Sequence, residues 1–219
     1  MKISFHNSIE EISKESWDAL IGDLNYPFLK HDFLKTLEIT NCVGTNTGWI
    51  PIHITLKRGE ELIAAMPLYL KSHSQGEFVF DHSWANAFYQ HGLDYYPKLV
   101  SSIPHTPASG PRFLLKDGEE KSVLFEKIKE GVKTISSKNN ISSWHILFPE
   151  KDEINFYENS QLSIRKNAQF IWFNKDYKNF GNYLENFRSR HRKNVLKERN
   201  KIKEQDLIIE TLSGEDLDY

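Results

Sequence analysis

Residues 49–70, WIPIHITLKRGEELIAAMPLYL, decide the fold because they contain two strand signals joined by a short turn. In the first half, four aliphatic residues occupy alternate positions: Ile50, Ile52, Ile54 and Leu56. A period of two predicts a half-buried β-strand. The Gly-Glu-Glu at 59–61 turns the chain, and the apolar run that follows predicts a more fully buried strand. The stretch therefore predicts an antiparallel strand pair.

Elements on both sides of this pair alternate between helix and strand. A strand at 2–5, a helix opened by a Ser8 and Glu11 capping box and ended by Gly22, and a helix at 30–40 precede it. An amphipathic helix at 119–137 follows, then strands at 142–149 and 168–174 around a short helix or turn at 155–161. This alternation predicts a mixed α/β fold.

Composition excludes several classes of protein. The chain has 219 residues, 39% hydrophobic and 26% charged, with a net charge of −2, so no global field indicates nucleic acid or membrane binding. Cys42 is the only cysteine, which excludes an internal disulfide and a thiolate zinc site. The N-terminus lacks a signal-peptide pattern and no long apolar run occurs. We expect a cytoplasmic protein without membrane insertion.

Residues 80–99, FDHSWANAFYQHGLDYYPKL, contain six aromatic residues. We expect a short helix from Trp84 to Gln90, ended by Gly92, and a turn at Tyr96 and Pro97. Core packing and the lining of a site are both open interpretations of the aromatic residues. Lys98 has no evident packing role between a proline and a leucine, although its stem could carry its ammonium to the surface. A proline-rich stretch, 104–111, predicts a fixed, non-helical loop beside this run.

The strongest charge feature is RSRHRKNVLKERNKIK at 188–203, with eight basic residues and one glutamate. Its composition predicts a helix with only a thin apolar stripe. A solvated surface and a phosphate or nucleic-acid contact are both open interpretations. No aromatic residue interrupts the run, so it gives no support for base stacking.

Most sequence signatures of catalytic sites are absent. The chain has no phosphate-binding G-x-x-x-x-G-K-[ST], no G-x-G-x-x-G and no G-x-S-x-G. Asp81, His82 and Ser83 are consecutive, so their side chains cannot converge as a triad. Histidines at 73, 82 and 91 share no helical face with a carboxylate, and we predict no metal site.

Four blocks of sequence carry a family resemblance. They are 67–81 (PLYLKSHSQGEFVFD), 84–87 (WANA), 92–99 (GLDYYPKL) and 104–112 (PHTPASGPR). Together they closely resemble the bacterial Fem-like, or FemAB-like, family of peptidoglycan biosynthesis/recognition proteins within the GNAT-type acyltransferase superfamily. The later QFIWFN and the basic stretch are similar to that family's second marked region, so the resemblance spans nearly the whole chain.

The resemblance implies a fold and a domain division. We expect a GNAT-like module at 1–180, built as a mixed twisted sheet flanked by helices. Residues 181–219 would be the basic helix and first strand of an apparently truncated second GNAT-like module. The R-x-x-G-x-G/A turn that binds acyl-CoA in such modules is not found. We therefore expect no cofactor bound by this chain alone, and an acyl-CoA or aminoacyl-tRNA donor in a full-length form.

The resemblance also implies an activity, N-acyl or aminoacyl transfer to an amine acceptor such as a cell-wall precursor. Acceptor-binding candidates are Trp84, Tyr89, Tyr95, Lys98 and Arg112, and phosphate-binding candidates are Arg188, Arg190, Arg192 and Lys193. His82 or His105 could act as a base, but no catalytic residue is assigned. The alternatives are a non-catalytic binding module for tRNA or a nucleotide-linked glycan precursor, and a partial product without stable activity. No DNA partner is expected, and the oligomeric state is open.

Overall fold

The computed structural model describes residues 1–22, 25–168, 170–205 and 207–216. Eight strands occur in this part of the chain: β1 Lys2–His6, β2 Trp49–Pro51, β3 His53–Arg58, β4 Glu61–Met66, β5 Tyr69–Lys71, β6 Lys98–Ser101, β7 Leu114–Leu115 and β8 Trp144–Ile146. The α-helices in the same ranges are α1 Lys14–Ile21, α2 His31–Ile39, α3 His82–Gln90, α4 Lys121–Lys138, α5 Ile154–Asn159, α6 Phe180–Glu185 and α7 Ser189–Glu204.

The strands form two four-stranded sheets. The first has the order β1-β3-β4-β7 and is antiparallel throughout. The second has the order β2-β5-β6-β8, in which β6 and β8 are parallel and the other neighbours are antiparallel. The chain between the parallel strands passes through α4, as a parallel pair requires a long crossover. The predicted mixed α/β class is confirmed.

The central strand pair is β3 and β4, in which Ile54 faces Met66. The prediction of one half-buried strand from residue 49 onward is wrong in two respects. The chain changes sheet at Ile52, so β2 and β3 belong to different sheets. Ile54, Thr55 and Leu56 are also all buried, because α1 and α2 pack in a core on one side of the first sheet while α4 packs on the other.

Helix α4 lies close to the first sheet because it has no side chain at residue 131. A Cβ atom built on Gly131 would lie 3.2 Å from both Ile3 Cγ2 and Ile54 Cδ1. Leu124, Ile128 and Val132 are buried on the same side of the helix. The predicted amphipathic helix at 119–137 is confirmed, with its ends shifted by one or two residues.

The N-terminal helix begins later than the capping-box pattern predicts. Ser8 caps only a short 3₁₀ turn, Ile9–Glu11, by accepting a hydrogen bond from Glu10 N at 3.1 Å. Ser13 then caps α1 through Ser16 N at 3.2 Å. The Ser8 hydroxyl donates at 2.6 Å to Glu38 on α2, a long-range partner that the local pattern does not contain. Gly22 ends α1, as predicted, with φ at 61°.

The chain divides into two compact units, residues 1–165 and 166–219. The predicted division at residue 180 stays a prediction. In the second unit, residues 168 and 170–174 form no strand, although a strand was expected at 168–174. Residues 207–213, which follow the basic helix, also form no strand, although the first strand of a second module was expected after that helix. Gln169 lies outside the described residues. No helix in the described ranges combines the length and the apolar character needed to cross a membrane.

Candidate functional site

A buried cluster of charged side chains lies beneath the aromatic run. Lys98 on β6 is fully buried, so the expectation that its ammonium could reach the surface is wrong. Its Nζ contacts Glu77 Oε2 at 2.8 Å, Asp81 Oδ2 at 2.5 Å and Ser74 Oγ at 2.9 Å. The Tyr95 hydroxyl donates to the same Asp81 oxygen at 2.7 Å. These contacts of Lys98 hold the segment 74–81 against the second sheet.

A second buried lysine lies opposite the first in the β5–β6 ladder. Lys71 pairs in register with Lys98, and its side chain is also fully buried. Its Nζ lies 3.8 Å from the centroid of the Trp49 ring and donates to Gln75 O at 3.1 Å. Burial lowers the pKa of Lys71 to about 7, and the positive charge of Lys98 adds to this, while Glu77 opposes it.

The two carboxylates of this cluster respond differently to burial. Burial raises the pKa of Glu77, despite the opposing charge of Lys98. Burial also acts to raise the pKa of Asp81, but the hydrogen bonds from Lys98 and Tyr95 outweigh it and hold that pKa at about 2. Glu77 Oε1 and Asp81 Oδ1 are buried without a hydrogen-bond partner among the described residues. The ammonium of Lys98 is therefore the main compensation for both carboxylates.

Trp84 and Arg165, which are exposed, lie together with half-buried His145 beside the cluster, and we call these three residues the α3 surface. The Trp84 ring centroid lies 6.0 Å from that of His145, and the Arg165 guanidinium carbon lies 5.0 Å from the Trp84 ring. Arg165 Nη2 donates to Phe80 O at 2.6 Å, which fixes the guanidinium near the indole. Trp84 remains 44% exposed. A cation and an aromatic face are thus presented together at the surface.

His145 on β8 contributes a neutral imidazole to the α3 surface. Burial lowers the pKa of His145 to about 4, and the charge of Lys98 adds to this. Its Nε2 lies 2.9 Å from Ser143 Oγ, and its ring packs edge-on against Tyr95 with centroids 6.2 Å apart. At neutral pH the ring therefore carries no charge beside Trp84.

The structure separates the predicted acceptor-binding residues. Trp84 and Tyr89 are both exposed, but five helical positions place them about 140° apart around α3. Tyr95 is fully buried and serves to hold Asp81. The predicted helix in this run is confirmed, since α3 ends just before Gly92, whose φ is 69°. Any binding role for these residues stays a prediction.

Arg112 is buried and surrounded by main-chain carbonyl groups. It donates to Leu147 O at 2.8 Å, Gly110 O at 3.0 Å and Ala108 O at 2.5 Å. These bonds attach the non-helical loop at 104–111, which was predicted correctly, to the residue that follows β8. The visible role of Arg112 is therefore to fix this loop.

The two histidines considered as bases lie elsewhere on the first unit. His82 is exposed at the first residue of α3. His105 is also exposed; its Nε2 lies 3.2 Å from Cys42 O, and its ring centroid lies 5.6 Å from that of Trp49. His145 is the histidine that contacts Trp84.

The turn before α4 is acidic. Gly118 adopts φ 82° there, between Asp117 and Glu119, and Glu120 occupies the N-cap position. Glu119 makes a bidentate pair with Arg58, at 2.6 and 2.9 Å. Carboxylates at a helix N-terminus oppose the binding of phosphate groups there. This turn is therefore poorly suited to a donor pyrophosphate, in agreement with the missing glycine-rich pattern.

Helix α7 divides the predicted phosphate-binding residues between two sides. Arg190 and Lys193 fall on one side, whereas Arg188 and Arg192 fall on the opposite side, because successive residues turn by about 100°. Arg192 is half-buried, and its Nη2 donates to Phe187 O at 3.4 Å. The four residues therefore do not form a single cluster.

Sequence reasoning missed several residues of this site: Lys71, Glu77, Asp81, His145 and Arg165. One signal could have found the carboxylates, since a lysine in a buried strand requires acidic partners, and Glu77 and Asp81 lie in the block 67–81 before it. The contact of Arg165 with Trp84 joins residues 81 positions apart, and no local pattern predicts it.

The comparisons with known proteins identify the family. A FemAB_like family model, described as peptidoglycan biosynthesis/recognition, matches residues 8–219. No match was found among curated proteins.

Among solved structures, the aminoglycoside 6'-N-acetyltransferase AAC(6')-IG of Acinetobacter haemolyticus is similar in fold, with 10% sequence identity and a TM-score of 0.46. The match covers 81% of this chain and 100% of the acetyltransferase chain. The ribosomal-protein-alanine N-acetyltransferase of Brucella melitensis biovar Abortus 2308 is 7% identical, with 79% and 100% covered and a TM-score of 0.47. The family match covers nearly the whole sequence, and the chain belongs to the FemAB-like family.

Proposed function

We propose that this protein is an acyltransferase-like protein that binds an amine-bearing cell-wall precursor as its acceptor on the α3 surface. The observation that carries the proposal is the family match over residues 8–219, whose description is peptidoglycan biosynthesis/recognition. On the α3 surface an exposed aromatic ring, an exposed cation and a half-buried neutral imidazole occur together.

The chemistry of these three side chains suits such an acceptor. Arg165 is oriented by Phe80 O and offers a planar set of donors to a carboxylate or phosphate. Trp84 offers an exposed apolar face on which a sugar ring or side chain can pack. His145 is neutral and can accept a hydrogen bond from an uncharged amine.

The proposed reaction is transfer of an acyl group to that amine. The amine nitrogen attacks the donor carbonyl, a C–N bond forms, and the C–S bond of an acyl-CoA or the C–O bond of an aminoacyl-tRNA breaks. The amine loses one proton to solvent, and the leaving sulfur or oxygen gains one. This chain's role in the proposal is to position the acceptor. We do not propose that the acidic turn before α4 binds the donor.

Ligand-induced thermal stabilisation tests the proposal. Nucleotide-linked cell-wall precursors with a free amine should raise the melting temperature of the chain, since a ligand at 100 times its Kd stabilises the native state by about 2.7 kcal/mol. Trp84→Ala and Arg165→Gln should each remove most of that shift. Tyr89→Ala, on the other flank of α3, is the matched control and should retain it. Equal shifts in all four proteins, or none with any precursor, would refute the acceptor role.

A second candidate function is anion binding without chemistry. The observation that favours it is the strongly basic helix α7, together with the acidic turn before α4, which is poorly suited to a donor pyrophosphate. Incubation of the chain with a precursor and either labelled acyl-CoA or labelled aminoacyl-tRNA separates the two candidates. Label transferred to the precursor supports acyl transfer, whereas binding of ligands without any transfer supports the second candidate.

A further inference from the structure

We propose that one side of α7 binds the phosphate backbone of a nucleic-acid strand, independently of base sequence, through Arg190, Lys193, Lys197 and Lys201. We call these four residues the α7 row. The inference rests on the anion-binding candidate above and does not depend on acyl transfer.

The spacing of the α7 row aligns its side chains. The four residues are separated by three, four and four positions in an uninterrupted helix. At about 100° per residue they fall within about 80° of one another, and they span about 16 Å along the helix axis. All four are exposed. They therefore form one row of cations along one side of the helix.

The remaining basic residues of α7 form a second line on the opposite side. They are Arg192, Arg199 and Lys203, with Arg188 at the N-cap position. Two of them contact other residues of the second unit. The Arg199 guanidinium carbon lies 4.1 Å from the Phe180 ring centroid, and Arg192 donates a hydrogen bond to Phe187 O. Half-buried Val195 lies beside this second line. The second line is thus partly engaged in packing, whereas the α7 row is not.

Within the part of the chain that the structure describes, no ion pair neutralises the α7 row. Glu204 is the acidic residue on the same side of the helix, beyond the last lysine of the row. Like charges four positions apart, such as Lys193 with Lys197, each destabilise a helix by a few tenths of a kcal/mol. A polyanion bound along the row would offset this destabilisation of the helix.

A nucleic acid fits this row better than a membrane or a small phosphate ligand. Leu196 is the large apolar side chain that borders the row, and no aromatic residue occurs in α7, so little apolar surface is available for insertion into a bilayer. A single diphosphate would engage only part of a 16 Å line, whereas a nucleic-acid strand offers a continuous series of phosphates. The absence of aromatic residues from α7 favours backbone contacts over base stacking.

The salt dependence of RNA binding tests the inference. Fluorescence anisotropy of a labelled 20-nucleotide oligouridylate is measured with the whole chain between 50 and 300 mM KCl. Four phosphate contacts predict a slope of log K against log salt of about −3, since each contributes about −0.7 with a single strand. Lys193→Gln combined with Lys197→Gln should reduce that slope to about −1.4 and weaken binding at least tenfold at 50 mM KCl.

Arg199→Gln combined with Lys203→Gln is the matched control, with the same spacing and the same loss of charge on the opposite side of α7. It should keep the slope and most of the affinity, and circular dichroism of both double variants should show unchanged helix content. Equal weakening in the two double variants, a slope near zero, or binding to phosphatidylserine vesicles without RNA binding would overturn the inference. Precursor-induced thermal shifts that depend on Trp84 are unaffected by any of these outcomes, so failure here leaves the acceptor proposal intact.

Discussion

Lys71 and Lys98 lie directly opposite each other on β5 and β6, and both side chains are completely buried. Two ammonium groups at paired positions of a ladder repel each other unless carboxylates compensate them. Glu77 and Asp81 both bind Lys98, while Lys71 contacts an indole ring and a carbonyl group. The two lysines therefore have different electrostatic roles, which makes their replacement informative in different ways.

Replacement of Lys98 by methionine should strongly destabilise the protein. The variant Lys98→Met leaves Glu77 and Asp81 buried without their cation, and removal of one partner from a buried ion pair costs about 3–5 kcal/mol. Urea denaturation at pH 7 measures the loss. Lys116→Met is the control, because Lys116 pairs with Glu61 at the exposed surface, and it should cost no more than about 1 kcal/mol. A Lys98→Met loss as small as that of the control would contradict the proposed compensation.

The free energy of unfolding should rise as the pH rises from 7 to 9.5, because of the lowered pKa of Lys71. The unfolded chain holds the Lys71 proton up to a pKa of about 10.5, whereas the folded protein releases it near pH 7. The unfolded state therefore binds more protons in this window, and the free energy of unfolding rises by at most about 1.4 kcal/mol per pH unit. The pKa values of Tyr69 and Tyr95 are raised by burial, so their contributions change only at higher pH.

Urea denaturation at several pH values measures this slope. Lys71→Met should abolish the rise, since methionine carries no proton to release. Lys133→Met, which replaces an exposed lysine of α4, should keep the rise. Identical slopes for the wild type and Lys71→Met would show that Lys71 is protonated in the folded state at pH 7, and the assigned pKa would be wrong.

Local sequence patterns predicted the helices that have one apolar side. The amphipathic repeat of α4 was found because its burial follows the period of the helix. The strand pair β3–β4 was found from alternating aliphatic residues and the Gly-Glu-Glu turn, although Ile54, Thr55 and Leu56 are all buried. The sheet change at Ile52 was not found, because it depends on which strands pair across the sheet, and local alternation carries no such information.

The candidate site was predicted only in part, and for a similar reason. Lys98 was recognised as unusual, but its partners lie 17 and 21 positions away and meet it only when the segment 74–81 folds back on β6. His145 was assigned only to a strand, since its neutral state arises from burial near Lys98. The division of the basic helix into two sides was implicit in its spacing, but the contact of Arg199 with Phe180 requires the structure.

His145 should make the protein less stable as the pH falls from 6.5 to 4. The unfolded chain binds the His145 proton near pH 6.5, whereas the folded protein binds it only near pH 4. The unfolded state therefore binds more protons in this window, and stability decreases with acidification. His145→Asn should remove this contribution, so the free-energy difference between wild type and variant should shrink as the pH falls. Parallel curves for the two proteins between pH 6.5 and 4.5 would contradict a neutral, partly buried imidazole.

Replacement of Arg112 should lower the stability of the protein without changing its ligand binding. Arg112→Lys keeps the charge but loses the planar set of donors, so carbonyl groups of Gly110 and Leu147 lose their buried partners. Each unsatisfied carbonyl costs about 1–3 kcal/mol, so the ligand-free melting temperature should fall by several degrees. The shift that precursors induce should stay the same, because the buried guanidinium is already occupied by the main chain. A variant with a normal melting temperature and no precursor-induced shift would instead make Arg112 a binding residue, as its place in the family pattern first indicated.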